Sequence, residues 1–82
     1  MKTKRTIKEM LMCFLGRPYL LNINTAEAHD LRNKQRNCLL FLMSPKNKRY
    51  LTEIQFINSV KNGIKGLSVN GCRWCLAKHD IG

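Results

Sequence analysis

The run Asn70-Gly71-Cys72-Arg73-Trp74-Cys75-Leu76 sets two thiols at Cys-x-x-Cys spacing on a tight turn. Two sulfurs so placed come close enough to hold one metal ion. Zinc wants four soft or borderline donors in a tetrahedron, so the other two must come from a distant segment. Cys38 is the candidate third ligand. It follows the polar stretch 32–37 and begins the apolar run Cys38–Met43, a boundary where a thiolate can face inward. The fourth is a histidine, either His29, nine residues before Cys38, or His79, four residues after Cys75. Four protein ligands close a zinc site and make it structural, whereas a catalytic zinc keeps one position open. Buried core thiols and a dithiol redox couple are the competing uses of the pair. The redox use is weakened because no strand–Cys-x-x-Cys–helix pattern surrounds it.

Other chemistry is sparse. There is no Gly-rich loop to cradle a phosphate, and the chain has only five carboxylate side chains. Glu53 stands at a helix start, where a negative charge complements the helix dipole. Asp30, next to His29, is either a partner that orients the imidazole or a turn cap. Trp74 reads as a lid or core anchor at the cysteine turn. Exposed beside Arg73, it would instead suit stacking on a nucleobase.

These residues need a frame. The segment Ile7–Leu15 is a helix with Thr6 as N-cap and Glu9 completing a capping box. Gly16 and Pro18 end it. Ile7, Met10, Leu11, Phe14 and Leu15 share one side, which predicts an apolar face packed on the domain, with a partner-binding helix as the other use. Cys13 falls off the centre of that stripe and reads as a bystander. Strands are expected at 19–23, in the extended segment 26–31 that carries His29, and at 49–51. The run 38–43 lacks β-branched residues and reads as helix, stopped by Ser44-Pro45. Thr52 caps a further helix with Gln55 in the reciprocal position. Ile54, Ile57, Val60 and Ile64 recur along it, Gly63 suits its end, and 66–71 is a loop feeding the cysteine turn.

Eighty-two residues make one domain, 1–82. It divides into an N-terminal helical extension, 1–17, and a metal-binding core, 18–80. So short a chain buries a modest core, and a metal staple helps it fold. Fifteen Lys and Arg against five Asp and Glu give +10, spread along the chain rather than in one run. Such a charge is either a solvated basic face or a patch for nucleic acid, acidic proteins or anionic lipid. No apolar run approaches the roughly 20 residues of a membrane span. The N-terminus has no small-x-small cleavage site after its short apolar stretch. These features point to the cytoplasm, where cysteines serve metals or catalysis rather than disulfides.

Tyr19-Leu20-Leu21-Asn22, Ala28-His29-Asp30-Leu31-Arg32-Asn33, Asn37-Cys38 and Gly71-Cys72-Arg73-Trp74-Cys75-Leu76 together resemble a group of small bacterial proteins of unknown function. They share a His-Asp-Leu-x-Asn segment, a following Cys and a Cys-x-x-Cys ending. That resemblance favours His29 over His79. More distantly, the order of Cys38, helix, strand, helix and Cys72/Cys75 is similar to the zinc domain of Ada-type DNA-repair proteins. There four cysteines bind zinc, one accepts a methyl group from DNA phosphate, and basic residues hold the backbone. His29 would stand in for the missing early cysteine, and the scaffold is what this resemblance implies. The reading is an α+β domain with zinc on His29, Cys38, Cys72 and Cys75, serving as a non-enzymatic binding module. Nucleic-acid binding and a thiol repair or redox enzyme are the alternatives.

Overall fold

The computed structural model describes residues 4–38 and 40–79. Helix α1, Ile7–Phe14, is followed by strands β1, Tyr19–Asn22, and β2, Glu27–Asp30. Strand β3, Lys48–Leu51, leads into helix α2, Glu53–Asn62, and the short strand β4, Asn70–Gly71, precedes the cysteine turn. Between and after them lie single 3₁₀ turns at Leu31–Asn33, Arg36–Cys38, Leu40–Leu42, Pro45–Asn47 and Ala77–His79. The fold is α+β, as the sequence predicts. Both capping boxes form: Thr6 with Glu9 on α1, and Thr52 with Gln55 on α2.

The four strands form one mixed sheet in the order β3-β1-β2-β4. The β1–β2 hairpin turns on Asn22, whose Oδ1 accepts hydrogen bonds from the backbone N–H groups of Asn24 and Thr25. Its register sets Leu20 opposite His29, and β3 sets Tyr50 opposite Leu20. Residues directly opposite share a face, so His29, Leu20 and Tyr50 look one way while Tyr19, Asp30 and Leu51 look the other. Strand β4 joins β2 in parallel with Gly71 beside Ala28. This pairing brings a residue late in the chain against the strand that carries His29.

The core is Leu20, Leu21, Ala28, Leu31, Leu40, Phe56, Val69 and Leu76, with Cys38, Cys72 and Cys75 inside it. Phe56 anchors α2 by stacking on Tyr19, with ring centroids 4.2 Å apart. The apolar positions Ile54, Ile57 and Val60 of the same helix stay exposed, and Ile64 packs on the core. The helix expected over 38–43 is instead 3₁₀ turns at Arg36–Cys38 and Leu40–Leu42. A run that short, stopped by Pro45, cannot repay the nucleation of an α-helix unless its side chains all share one packed face.

The expectation that α1 packs through its apolar stripe is overturned. Ile7 is 82% exposed and Phe14 86%, with Met10, Leu11 and Leu15 also exposed. The side turned inward carries Glu9, 3% exposed, and Cys13, which packs on the core. A buried ion pair fixes this orientation. Lys34 Nζ sits 2.8 Å from Glu9 Oε1 and donates to the backbone carbonyl of Lys4. Burial alone would raise the Glu9 pKa, but the hydrogen bonds from Lys34 and the Thr6 backbone outweigh it and hold the carboxyl below its ordinary value. A carboxyl lowered in the folded state contributes stability that is complete above its unfolded value of 4.5 and is lost as pH falls through the folded value. Urea unfolding followed against pH is therefore expected to weaken below that point in the wild type. Glu9→Gln should be less stable at neutral pH, because the partly buried Lys34 loses its counter-ion, and should have a flatter acid limb.

Candidate metal centre

His29, Cys38, Cys72 and Cys75 arrive from three separate places. His29 lies on β2, Cys38 ends a 3₁₀ turn, and the cysteine pair follows β4 directly. Their donor atoms all lie within 4.8 Å of one another, and all four residues are buried. Cys72 Sγ is 3.6 Å from Cys38 Sγ, and Cys75 Sγ is 3.7 Å from His29 Nδ1. A zinc tetrahedron with ordinary bond lengths has sulfur–sulfur edges of about 3.8 Å and sulfur–nitrogen edges of about 3.6 Å. These two separations are close to those edges. They are far from the roughly 2 Å of a disulfide, and all the cysteines are free thiols.

The imidazole is oriented from both sides. Nδ1 faces Cys75 Sγ, and Nε2 lies 3.3 Å from Glu27 Oε1. Burial pushes the His29 pKa down to about 4, so the ring is neutral at pH 7. The contact with Glu27 is then a hydrogen bond with Nε2–H as donor, which leaves the Nδ1 lone pair for a metal. The orienting carboxylate is thus Glu27 and not the adjacent Asp30. On a strand, positions i and i−2 share a face, so the alternation of Glu27 and His29 carried the signal. Asp30 instead caps the next 3₁₀ turn and accepts two hydrogen bonds from the Arg32 guanidinium.

Backbone N–H groups already point at two of the sulfurs. The Asp30 N–H donates to Cys75 Sγ at 3.2 Å, and the Gln35 N–H to Cys38 Sγ at 3.4 Å. Even so, burial pushes the Cys38 and Cys75 thiols up. Thiols in this setting keep their protons until a cation supplies the missing charge. The donor set fits zinc by number, softness and spacing.

His79 is not in the group. Its ring meets Phe56 edge-on, with centroids 5.1 Å apart. Cys13 also lies outside it. Trp74 is 50% exposed, with the Arg73 guanidinium 5.6 Å from its ring centroid, so it is no core anchor. It borders an open groove together with Tyr19, Arg32, Phe56, Cys75 and Lys78. Among the described residues no helix is long and apolar enough to cross a membrane. No protein-family model matches the chain, nor does any curated protein or solved structure.

Gly71 holds the turn against the sheet. A Cβ there would stand 2.5 Å from the Leu76 carbonyl oxygen and 2.7 Å from His79 Cβ. Only a residue without a side chain lets the cysteine turn fold back so closely. Gly71→Ala is expected to lower the unfolding free energy by about 1–3 kcal/mol, read by denaturant titration. Glu27→Ala should keep the fold and weaken zinc affinity about 10- to 100-fold, read by competition with a chromophoric chelator.

Proposed function

We propose that this chain is a small zinc-stapled binding module, with His29 Nδ1, Cys38, Cys72 and Cys75 as the four ligands. The observation that carries this reading is the convergence of one imidazole nitrogen and three sulfurs, all buried, within 4.8 Å. Zinc would stabilise the fold by binding the folded chain only and by closing the long segment from Cys38 to Cys72. Four protein ligands leave no position for water or substrate, which supports a structural rather than catalytic role. Burial of the sulfurs supports the same view. A methyl-accepting thiolate of the Ada type, or a thiol redox nucleophile, has to be reached by its substrate. The bacterial group and the Ada-type scaffold are accordingly proposed as likenesses of architecture.

Nucleic-acid binding is a second reading, favoured by one observation. Trp74 is half-exposed beside Arg73, at the edge of a groove that also holds Lys78. A base can stack on that indole while cations hold phosphate, within a chain of net charge +10. Affinity for single-stranded oligonucleotides that falls steeply with salt and drops on Trp74→Ala would support this reading. Salt-indifferent or absent binding would remove it.

Native mass spectrometry of the reduced chain tests the leading reading. One zinc per chain is expected, lost in His29→Ala and retained in His79→Ala. No metal in the wild type would overturn it. In the loaded protein, Cys13 should alkylate first and the other three cysteines slowly. A chelator should abolish that difference and lower the melting temperature.

A further inference from the structure

Helix α1 is docked inside out. Its polar side is fixed to the domain and its apolar side faces away. The inward side carries Glu9, bound by Lys34, and the end of the helix is held by Arg17, which donates to the Tyr50 carbonyl and to Gln55 Oε1. The outward side carries Ile7, Met10, Leu11, Phe14 and Leu15 at helical spacing, all exposed. Between residues 4 and 17, each exposed ionised side chain is a cation: Lys4, Arg5 and Lys8, whose ammonium also lies 5.4 Å from the Tyr50 ring centroid. The only acid in that stretch, Glu9, is buried and paired. The capping box and the tertiary anchors preform this face, so binding there needs no further ordering of the helix.

An apolar stripe with a cationic border calls for a partner that offers both apolar groups and negative charge. Nucleic acid would satisfy the cations and leave five large apolar side chains in water. A second copy of the chain would cover the stripe but bring two molecules of charge +10 together. An anionic bilayer surface meets both requirements, because acyl chains take the stripe and acidic headgroups take Lys4 and Arg5. We propose that α1 is a docking face for an anionic membrane surface, lying in the plane of the interface with Ile7 and Phe14 inserted below the headgroups. The helix does not span the bilayer. This inference stands on α1 and its charges alone and does not depend on the metal centre.

The test is co-sedimentation of the full reduced, zinc-supplemented chain with vesicles. One set is phosphatidylcholine alone and the other phosphatidylcholine mixed with phosphatidylserine. The expected result is binding to the anionic set, weakened by added salt. Ile7→Ser/Phe14→Ser should reduce that binding by at least about tenfold, with an unchanged circular dichroism spectrum and melting temperature, since both positions are exposed. Ile54→Ser, on the exposed stripe of α2, should leave it intact. Binding that survives Ile7→Ser/Phe14→Ser would mean general attraction of a basic chain and would overturn the proposal. So would no binding to either vesicle set. A concentration-dependent dimer in sedimentation analysis that Ile7→Ser/Phe14→Ser dissolves would assign the face to a second copy, and oligonucleotide binding lost in the same variant would assign it to a polyanion. Either result would also overturn the proposal.

Discussion

Three buried sulfurs and a buried imidazole nitrogen meet within a chain of 82 residues, and that meeting joins the sheet, the 3₁₀ turn at Arg36–Cys38 and the cysteine turn. Burial pushes the Cys38 and Cys75 thiols up, because desolvation penalises the thiolate, so without a cation these sulfurs pack as neutral core groups. A dication would change the balance: it would displace the proton from each sulfur, bind all four donors, and leave the centre only mildly anionic on a chain of net charge +10. The backbone N–H groups of Asp30 and Gln35 already donate to sulfur, and such bonds spread the remaining negative charge.

The sheet makes this meeting possible. Antiparallel pairing of β1 and β2 sets His29 beside Leu20, and the short parallel contact of β4 with β2 carries Cys72 to the same strand. The two-residue β4 is a weak element by itself. It is held by the hydrogen bonds from the Asn70 N–H to the Ala26 carbonyl and from the Cys72 N–H to the Ala28 carbonyl, and by the close fold-back at Gly71. A metal joining Cys72 and Cys75 to His29 and Cys38 would lock that edge, which local propensity cannot do.

The surface follows a different logic. In α1 and α2 the apolar stripes with the strongest helical spacing remain in water, while Glu9 and Phe56 turn inward. In α2 a large aromatic ring wins because it stacks on Tyr19 and excludes more water than any single aliphatic residue. In α1 the preference is electrostatic. A carboxylate that caps its own helix and also accepts from the partly buried Lys34 cannot leave the interior without taking the counter-ion from that ammonium. The exposed stripe is a consequence of this pairing, and it gives the molecule an amphipathic face where the sequence predicts a packed one.

Elements set by local rules were legible before any tertiary information. Thr6-x-x-Glu9 and Thr52-x-x-Gln55 announce helix starts because each cap satisfies neighbouring N–H groups. The strands at Tyr19, His29 and Tyr50 read from composition and flanking breakers. The candidate ligands were readable because so few soft donors are present, although the choice of His29 over His79 came from a resemblance and not from spacing. What only the tertiary structure decided is non-local. Which side of α1 turns inward depends on Lys34, twenty-five residues away from Glu9. The position of His79 outside the metal-binding group goes with its edge-on contact to Phe56, twenty-three residues away in the chain. Capping and turn chemistry act over three or four residues and are written in sequence order. Burial, register and ion pairing join residues far apart in the chain, and only the folded backbone brings them into contact.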